Sequence, residues 1–316
     1  MGQPCCCLNS GNENNQNNTS RRNSLIDDTI SKIKCLKTMN GHKNKVVSLI
    51  ELSSGKIATG SYDNTIKIWN LQKYECEKTI NEEGNVFCLL QFEPDYLLSG
   101  TDKATIQLWD LNDNNNIKLY SFKGHTLWVN CLVKCSNECF ASCSNDTDIR
   151  IWNYYSKKCE NVLKGHTNAI LTMIILRDGR LCTGSADFTI KKWDWKSNVC
   201  EATLEGHSGF VKCVCELNNG YIASGSIDKS IIIWNDDIIV AQLTGHTQSV
   251  RDICQIYDHY LASSSFDNTI KIWDLQSNQC LKTLYGHTSN VIRIIFHSSG
   301  RIITCSNDYT IKIWSV

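Results

Sequence analysis

The sequence predicts an all-β fold, a seven-bladed β-propeller of four-stranded sheets, and three observations predict it. Seven times a Trp closes a short apolar run 28 residues after a loop position that is usually a Gly followed by His: Gly41/Trp69, Asn81/Trp109, Gly124/Trp152, Gly165/Trp193, Gly206/Trp234, Gly245/Trp273 and Gly286/Trp314. A fixed internal length recurring this way is the mark of a repeat architecture. The connectors from each Trp to the next loop position absorb the variation, running from 11 to 15 residues. Within each unit, short apolar runs bounded by turn residues read as strands.

The first unit gives the elements in order: a strand over 46–52, a turn at Ser53-Ser54-Gly55, a strand over 57–61, a turn at Tyr62-Asp63-Asn64, and a strand over 65–69. Gly55, Gly179, Gly220 and Gly300 hold the first turn, where a positive φ is met without a Cβ. Ile66, Ile106, Ile149, Ile190, Ile231, Ile270 and Ile311 form a core column in the third strand. A fourth short segment follows each Trp, as at 158–163 and 279–284. Four such strands cannot bury both faces alone, but stacked radially they can.

The last unit lacks that fourth segment, because only Ser315 and Val316 follow Trp314. The run Cys35-Leu36-Lys37-Thr38-Met39 nearly copies Cys280-Leu281-Lys282-Thr283-Leu284. Residues 33–39 are therefore expected to supply the outer strand of the last blade and cover an open edge. This divides the chain into a tail, 1–32, and a propeller, 33–316.

Composition narrows the functional classes. With 32 acidic and 32 basic residues among 316, the chain has no global field for nucleic acid. No apolar stretch approaches the roughly 20 residues a spanning helix needs. A cytoplasmic location is expected, with the possibility of a peripheral place on the cytoplasmic face of a membrane. Eighteen Cys sit mostly singly among Val, Ile and Leu, as at Cys88 and Cys213, and read as small buried hydrophobes. Cys131, Cys135, Cys139 and Cys143 imitate a metal face at helical spacing. In the repeat register, however, Cys135 and Cys139 flank a hairpin turn, which argues against a zinc site or disulfide. No metal or cofactor is expected.

Six units carry His, Ser, Asp and Trp in one register. The columns are His42, His125, His166, His207, His246 and His287; Ser61, Ser144, Ser185, Ser226, Ser265 and Ser306; Asp63, Asp146, Asp187, Asp228, Asp267 and Asp308; and Trp69, Trp152, Trp193, Trp234, Trp273 and Trp314. Ser, His and Asp together invite a hydrolase reading. Six copies on one ring, with no Gly-x-Ser-x-Gly turn, read instead as buried hydrogen-bond chains from indole through hydroxyl and imidazole to carboxylate. No catalytic residue is assigned. The second unit swaps the charges: Glu82 stands in the His column and Lys103 in the Asp column. A Glu82–Lys103 ion pair and simple loss of the network are both open readings. Lys192 interrupts a column of Ile and Leu, and its amine is expected to reach water.

Gly245-His246, Ser265-Phe266-Asp267 and Trp273-Asp274, repeated along about nine tenths of the chain, resemble the WD40 family. The resemblance implies a seven-bladed propeller that acts as a non-catalytic platform for one or more proteins or peptides, with no small-molecule substrate. It also implies a binding face around the central opening, built by the Gly-His loops and Asp turns. Carried onto this chain, that face includes Lys45, Tyr62, Phe87, Trp128, Phe210, Lys212, Arg251 and Phe266. Trp128, outside every Trp-Asp position, is the expected anchor, and the cations favour an acidic or phosphorylated segment. Two other roles within the family are weighed. A ubiquitin-ligase substrate receptor commonly places Arg three residues after the Trp, where this chain has Gln72, Asn112, Tyr155, Lys196, Asp237 and Gln276. A G-protein β subunit needs an N-terminal coiled coil, and residues 1–32 hold no sustained heptad.

Residues 8–24 are rich in Asn, Ser and Gly and read as a disordered tether. Met1-Gly2-Gln3-Pro4-Cys5-Cys6-Cys7 resembles an N-myristoylation site at Gly2 followed by palmitoylated Cys5, Cys6 and Cys7, although the pattern expects Ser or Thr where Cys6 sits. Two acyl signals are what stable anchoring requires. Arg21-Arg22-Asn23-Ser24 resembles a basophilic kinase site at Ser24, where phosphate would offset nearby positive charge.

Overall fold

In the computed structural model, which describes residues 30–112 and 117–316, the predicted units become seven antiparallel four-stranded sheets. Blade 1 comprises Val46–Glu51, Ile57–Ser61, Thr65–Asn70 and Glu75–Asn81, ordered from the centre outward. Inner strands of consecutive blades pack against one another, and the first blade's inner strand packs against the last blade's, so the ring closes. The turn glycines Gly55, Gly179, Gly220 and Gly300 adopt φ of 73°, 89°, 85° and 73°, as their turns require.

Burial explains why the units must stack. Among the described residues the buried apolar side chains form seven clusters, each bridging two neighbouring blades. In one, Ala58, Ile66 and Ile80 of blade 1 meet Val86, Leu89 and Trp109 of blade 2. Each Trp thus plugs the junction with the blade before it. The same junctions demand small residues: a Cβ on Gly60 would lie 2.5 Å from Cγ1 of Val86. The Gly60 column continues as Gly100, Cys143, Gly184, Gly225, Ser264 and Cys305.

Blade 7 consists of Val291–His297, Arg301–Ser306, Ile311–Trp314 and, as its outer strand, Cys35–Met39. Met39 pairs with Ile311 and Lys37 with Ile313. The main chain of Ser315 donates to the Lys34 carbonyl at 3.0 Å. The described residues begin at Ile30, before the 32/33 boundary expected from sequence. Ile30 is 2% exposed and joins Ile33 in the cluster between blades 6 and 7. Two apolar residues spaced by three thus pack against that junction.

Lys192 also departs from expectation. Its side chain is buried, and its amine is held by blade 5, donating to the Asp236 carbonyl at 3.2 Å and to the Asp237 carboxylate at 3.4 Å. The described cysteines are free thiols.

Candidate functional site

The polar columns assemble, but through a different hydroxyl from the one expected. In blade 1 the Trp69 indole N–H donates to Thr59 Oγ1 at 2.8 Å, and that oxygen lies 2.8 Å from His42 Nε2. His42 Nδ1 lies 2.9 Å from Asp63 Oδ2. With Nδ1–H directed at the carboxylate, Nε2 is left to accept the hydroxyl proton. The linking hydroxyls of the other five such blades are Ser142, Thr183, Ser224, Ser263 and Thr304. Ser61, Ser144, Ser185, Ser226, Ser265 and Ser306 cap the turn instead: each hydroxyl accepts the main-chain N–H of its blade's Asp. The register is the reason. Trp69 stands opposite Ile57, so its indole reaches the residue two along the same face. Ser61 lies four along, at about 3.3 Å per residue.

The turn carboxylates gain from this arrangement. Burial pushes their pKa up, but hydrogen bonds from the imidazole and loop backbone outweigh it. Asp63, Asp187, Asp228, Asp267 and Asp308 are held well below the usual carboxylate range, and Asp146 at about 2. These chains tie each Gly-His loop to its Asp turn and so hold the rim of the central opening.

Inside that rim, Lys45, Tyr62, Phe87, Trp128, Lys212, Arg251 and Phe266 line one cavity of about 360 Å³. Phe210 stands beside it, its ring centroid 5.5 Å from the Lys212 amine and 5.8 Å from Phe188. Three consecutive blades contribute an aromatic arc. Tyr62 meets Phe87 edge-on at 5.3 Å, and Phe87 stacks on Trp128 at 5.1 Å with 23° between the planes. Trp128 remains 45% exposed. The opposite side is cationic, with Arg251 4.8 Å above the Phe266 ring.

The cations are poorly compensated. Arg251 Nε is buried without a hydrogen-bond partner. Burial lowers the Arg251 pKa to about 10, with help from Arg293. It lowers the Lys212 amine to about 7, with help from Arg251. Among the described residues no carboxylate lies within ion-pair distance of Lys212 or Arg251; Asp252 engages Arg293 instead, at 3.7 Å. Arg293 also lines the cavity and was not among the sequence candidates. Its signal was a column of Ser48, Cys88, Cys131, Thr172 and Cys213 that turns to Asp252 and Arg293 in the last two blades.

Comparison with known proteins matches residues 33–70, 116–153, 157–194, 198–235, 238–274 and 278–315 to the model described as "WD domain, G-beta repeat". The chain belongs to the WD40 family. WD40 propellers are generally non-catalytic scaffolds that bind other proteins. An uncharacterized WD repeat-containing protein of Schizosaccharomyces pombe is 35% identical over 130 residues, covering 38% of this chain and 35% of that protein. The ribosome biogenesis protein YTM1 of Debaryomyces hansenii is 31% identical over 150 residues, 44% of this chain and 32% of that protein. The p21-activated protein kinase-interacting protein 1-like of Danio rerio is 31% identical over 143 residues, 44% and 37%. This chain thus spans about a third of the length of each of these relatives.

The unmatched WD40 unit, between residues 70 and 116, is the charge-swapped blade 2. Glu82 turns inward rather than toward Lys103. Its Oε1 accepts the Trp109 indole N–H at 3.0 Å and also the Ser99 hydroxyl. Lys103 is exposed, and among the described residues no ion pair joins the two. One carboxylate placed a link closer to the indole replaces imidazole and Asp together, leaving the turn position free to change. The candidate modification residues Gly2, Cys5, Cys6, Cys7 and Ser24 lie outside the described residues.

Proposed function

We propose that this WD40 protein is a scaffold that holds an acidic or phosphorylated segment of a protein partner in the cavity at the centre of its Gly-His face. The Tyr62–Phe87–Trp128 arc would take an apolar side chain of the segment, and Lys212, Arg251 and Lys45 its anionic group. The observation that carries this reading is that one cavity is lined on one side by an exposed, stacked Trp128 and on the other by Arg251, whose buried Nε has no hydrogen-bond partner. Tryptophan, tyrosine and arginine are the residues enriched at interface hot spots. An anion would supply the charge that the buried cations lack.

Affinity capture from lysate with wild type, Trp128→Ala and Arg251→Ala tests this. Loss of the same partners in both variants is expected, with unchanged melting temperatures. Every partner remaining bound to both variants would place recognition elsewhere.

The sequence Met1-Gly2 followed by Cys5, Cys6 and Cys7 supports a further element, in which double acylation tethers the scaffold to a cytoplasmic membrane face and phosphate on Ser24 weakens the attachment. Membrane fractionation of wild type against Gly2→Ala decides it. Equal soluble fractions would remove the tether.

A further inference from the structure

We propose that Cys131 and Cys143 are a modification site at which a peroxide converts two thiols into a cross-strand disulfide within blade 3. The pair lies on the inner strand, Val129–Lys134, and the second strand, Cys139–Ser144, whose register sets Cys131 directly opposite Cys143. Directly opposite residues of an antiparallel pair point to the same face, with Cα atoms about 4.5–5.5 Å apart. That falls inside the window of roughly 4.4–6.8 Å which a disulfide spans.

The side chains agree with the backbone. Cys131 Sγ is 3.3 Å from the Met173 carbonyl and Cys143 Sγ is 3.7 Å from the Ile170 carbonyl, so both thiols face blade 4's inner strand, Ile170–Ile175. The two differ in access and acidity. Cys131 is half-buried and lines the central cavity of about 630 Å³, while Cys143 is fully buried. The adjacent Cys143 side chain lowers the Cys131 pKa, and the Arg293 charge adds to this, whereas burial raises that of Cys143. The neighbouring Cys135 is pushed up to about 12 by burial. Cys131 is therefore the nucleophile and Cys143 the resolving thiol.

The Cys131 thiolate attacks one peroxide oxygen, the O–O bond breaks, and hydroxide leaves. The Cys143 sulfur then attacks the resulting sulfenic acid; the S–S bond forms, the S–O bond breaks, and the oxygen departs as water with the Cys143 proton. Two thiols lose two electrons and one peroxide becomes two waters. The bond would form at the register shift between Val129 and Cys131, on the strand that follows Trp128.

The test treats the reduced full-length chain with hydrogen peroxide, alkylates it, and maps linked peptides by mass spectrometry after cleavage with trypsin and chymotrypsin. Chymotryptic cleavage after Phe140 separates Cys139 from Cys143. A Cys131–Cys143 link is expected in wild type and in Cys135→Ser. In Cys143→Ser the link disappears and a sulfenic acid on Cys131 becomes trappable with dimedone. Wild-type Cys131 and Cys143 both remaining alkylated, or Cys131 joined to Cys88 instead, would overturn the proposal even if the Cys143 variant failed to fold.

Discussion

Replacing Asp146 by Asn removes one charge from one network while leaving an oxygen to accept the bond from His125. In the folded state Asp146 has a pKa of about 2, against an ordinary 3.8. At about 1.36 kcal/mol per pKa unit, that difference corresponds to roughly 2.4 kcal/mol of stability at neutral pH. The carboxylate sits on a turn that is partly open to solvent, so screening reduces the figure to about 1–2 kcal/mol. The sign follows from the depressed folded pKa: the contribution is present above the unfolded value and is lost as pH falls toward the folded one. Urea unfolding of wild type and Asp146→Asn at a series of pH values measures the difference directly, with the other five networks unchanged in both proteins. The gap should be full at pH 7 and about half as large near pH 3, the midpoint of the two values. A gap that does not change between pH 7 and pH 3.5, or no gap at neutral pH, would refute the claim that the imidazole bond stabilises the ionised turn.

Glu82→Gln should show the opposite slope. Burial raises the Glu82 pKa, so its contribution is full below the unfolded value and lost as pH rises through the folded one; the variant should gain on wild type between pH 4 and pH 7, read by the same unfolding series. Gly60→Val forces a Cβ to within 2.5 Å of Val86 and should cost about 1–3 kcal/mol in chemical denaturation. Thr147 holds φ of 73° with a β-branched side chain, and Thr147→Asn should gain about 0.5–1.5 kcal/mol, seen as a higher melting temperature. Deleting residues 1–40 removes the outer strand of blade 7 together with buried Ile30, Ile33 and Met39, and should lower the melting temperature sharply.

The fold was legible in the sequence because its determinants are local and repeated. The Trp spacing, the turn glycines and the Ile column each report a short-range requirement, and Cys35–Met39 betrayed its place by copying the strand it mimics. What the sequence concealed depends on two-dimensional register. Thr59 and Ser61 sit on the same face of one strand, and only the pairing of Ile57 with Trp69 decides which hydroxyl the indole reaches. The rim residues were legible as columns, but the stacking of Phe87 on Trp128 joins side chains of adjacent blades, and Arg293 enters the cavity one position after its expected column, beyond a register shift at Val291. The place of Lys192 is not legible in its own repeat because its partners, Asp236 and Asp237, belong to the next blade.

Blade 2 shows what these polar chains require. In the other six blades the buried indole and hydroxyl pass their hydrogen bonds through imidazole to a carboxylate at the turn. In blade 2 both donate straight to Glu82, and the structure keeps Trp109 buried all the same. The requirement is therefore an acceptor for two buried donors, not a particular relay. Charge is what the substitution trades. The six turn carboxylates are stabilised in their ionised form, whereas Glu82 carries a cost of desolvation that its hydrogen bonds and the nearby Lys118 charge do not offset. In exchange the turn is released, and Asp102 bonds to the Asn85 side chain and main chain next to Phe87 and Tyr62. The blade that gave up the shared network is the one whose inner strand supplies the middle ring of the aromatic arc. A Glu82→His/Lys103→Asp double variant should rebuild the common relay and recover stability at neutral pH. If the Phe87–Trp128 stack depends on the swapped charges, the same variant should also lose the partners that Trp128→Ala loses; retention of them would separate the network from the binding face.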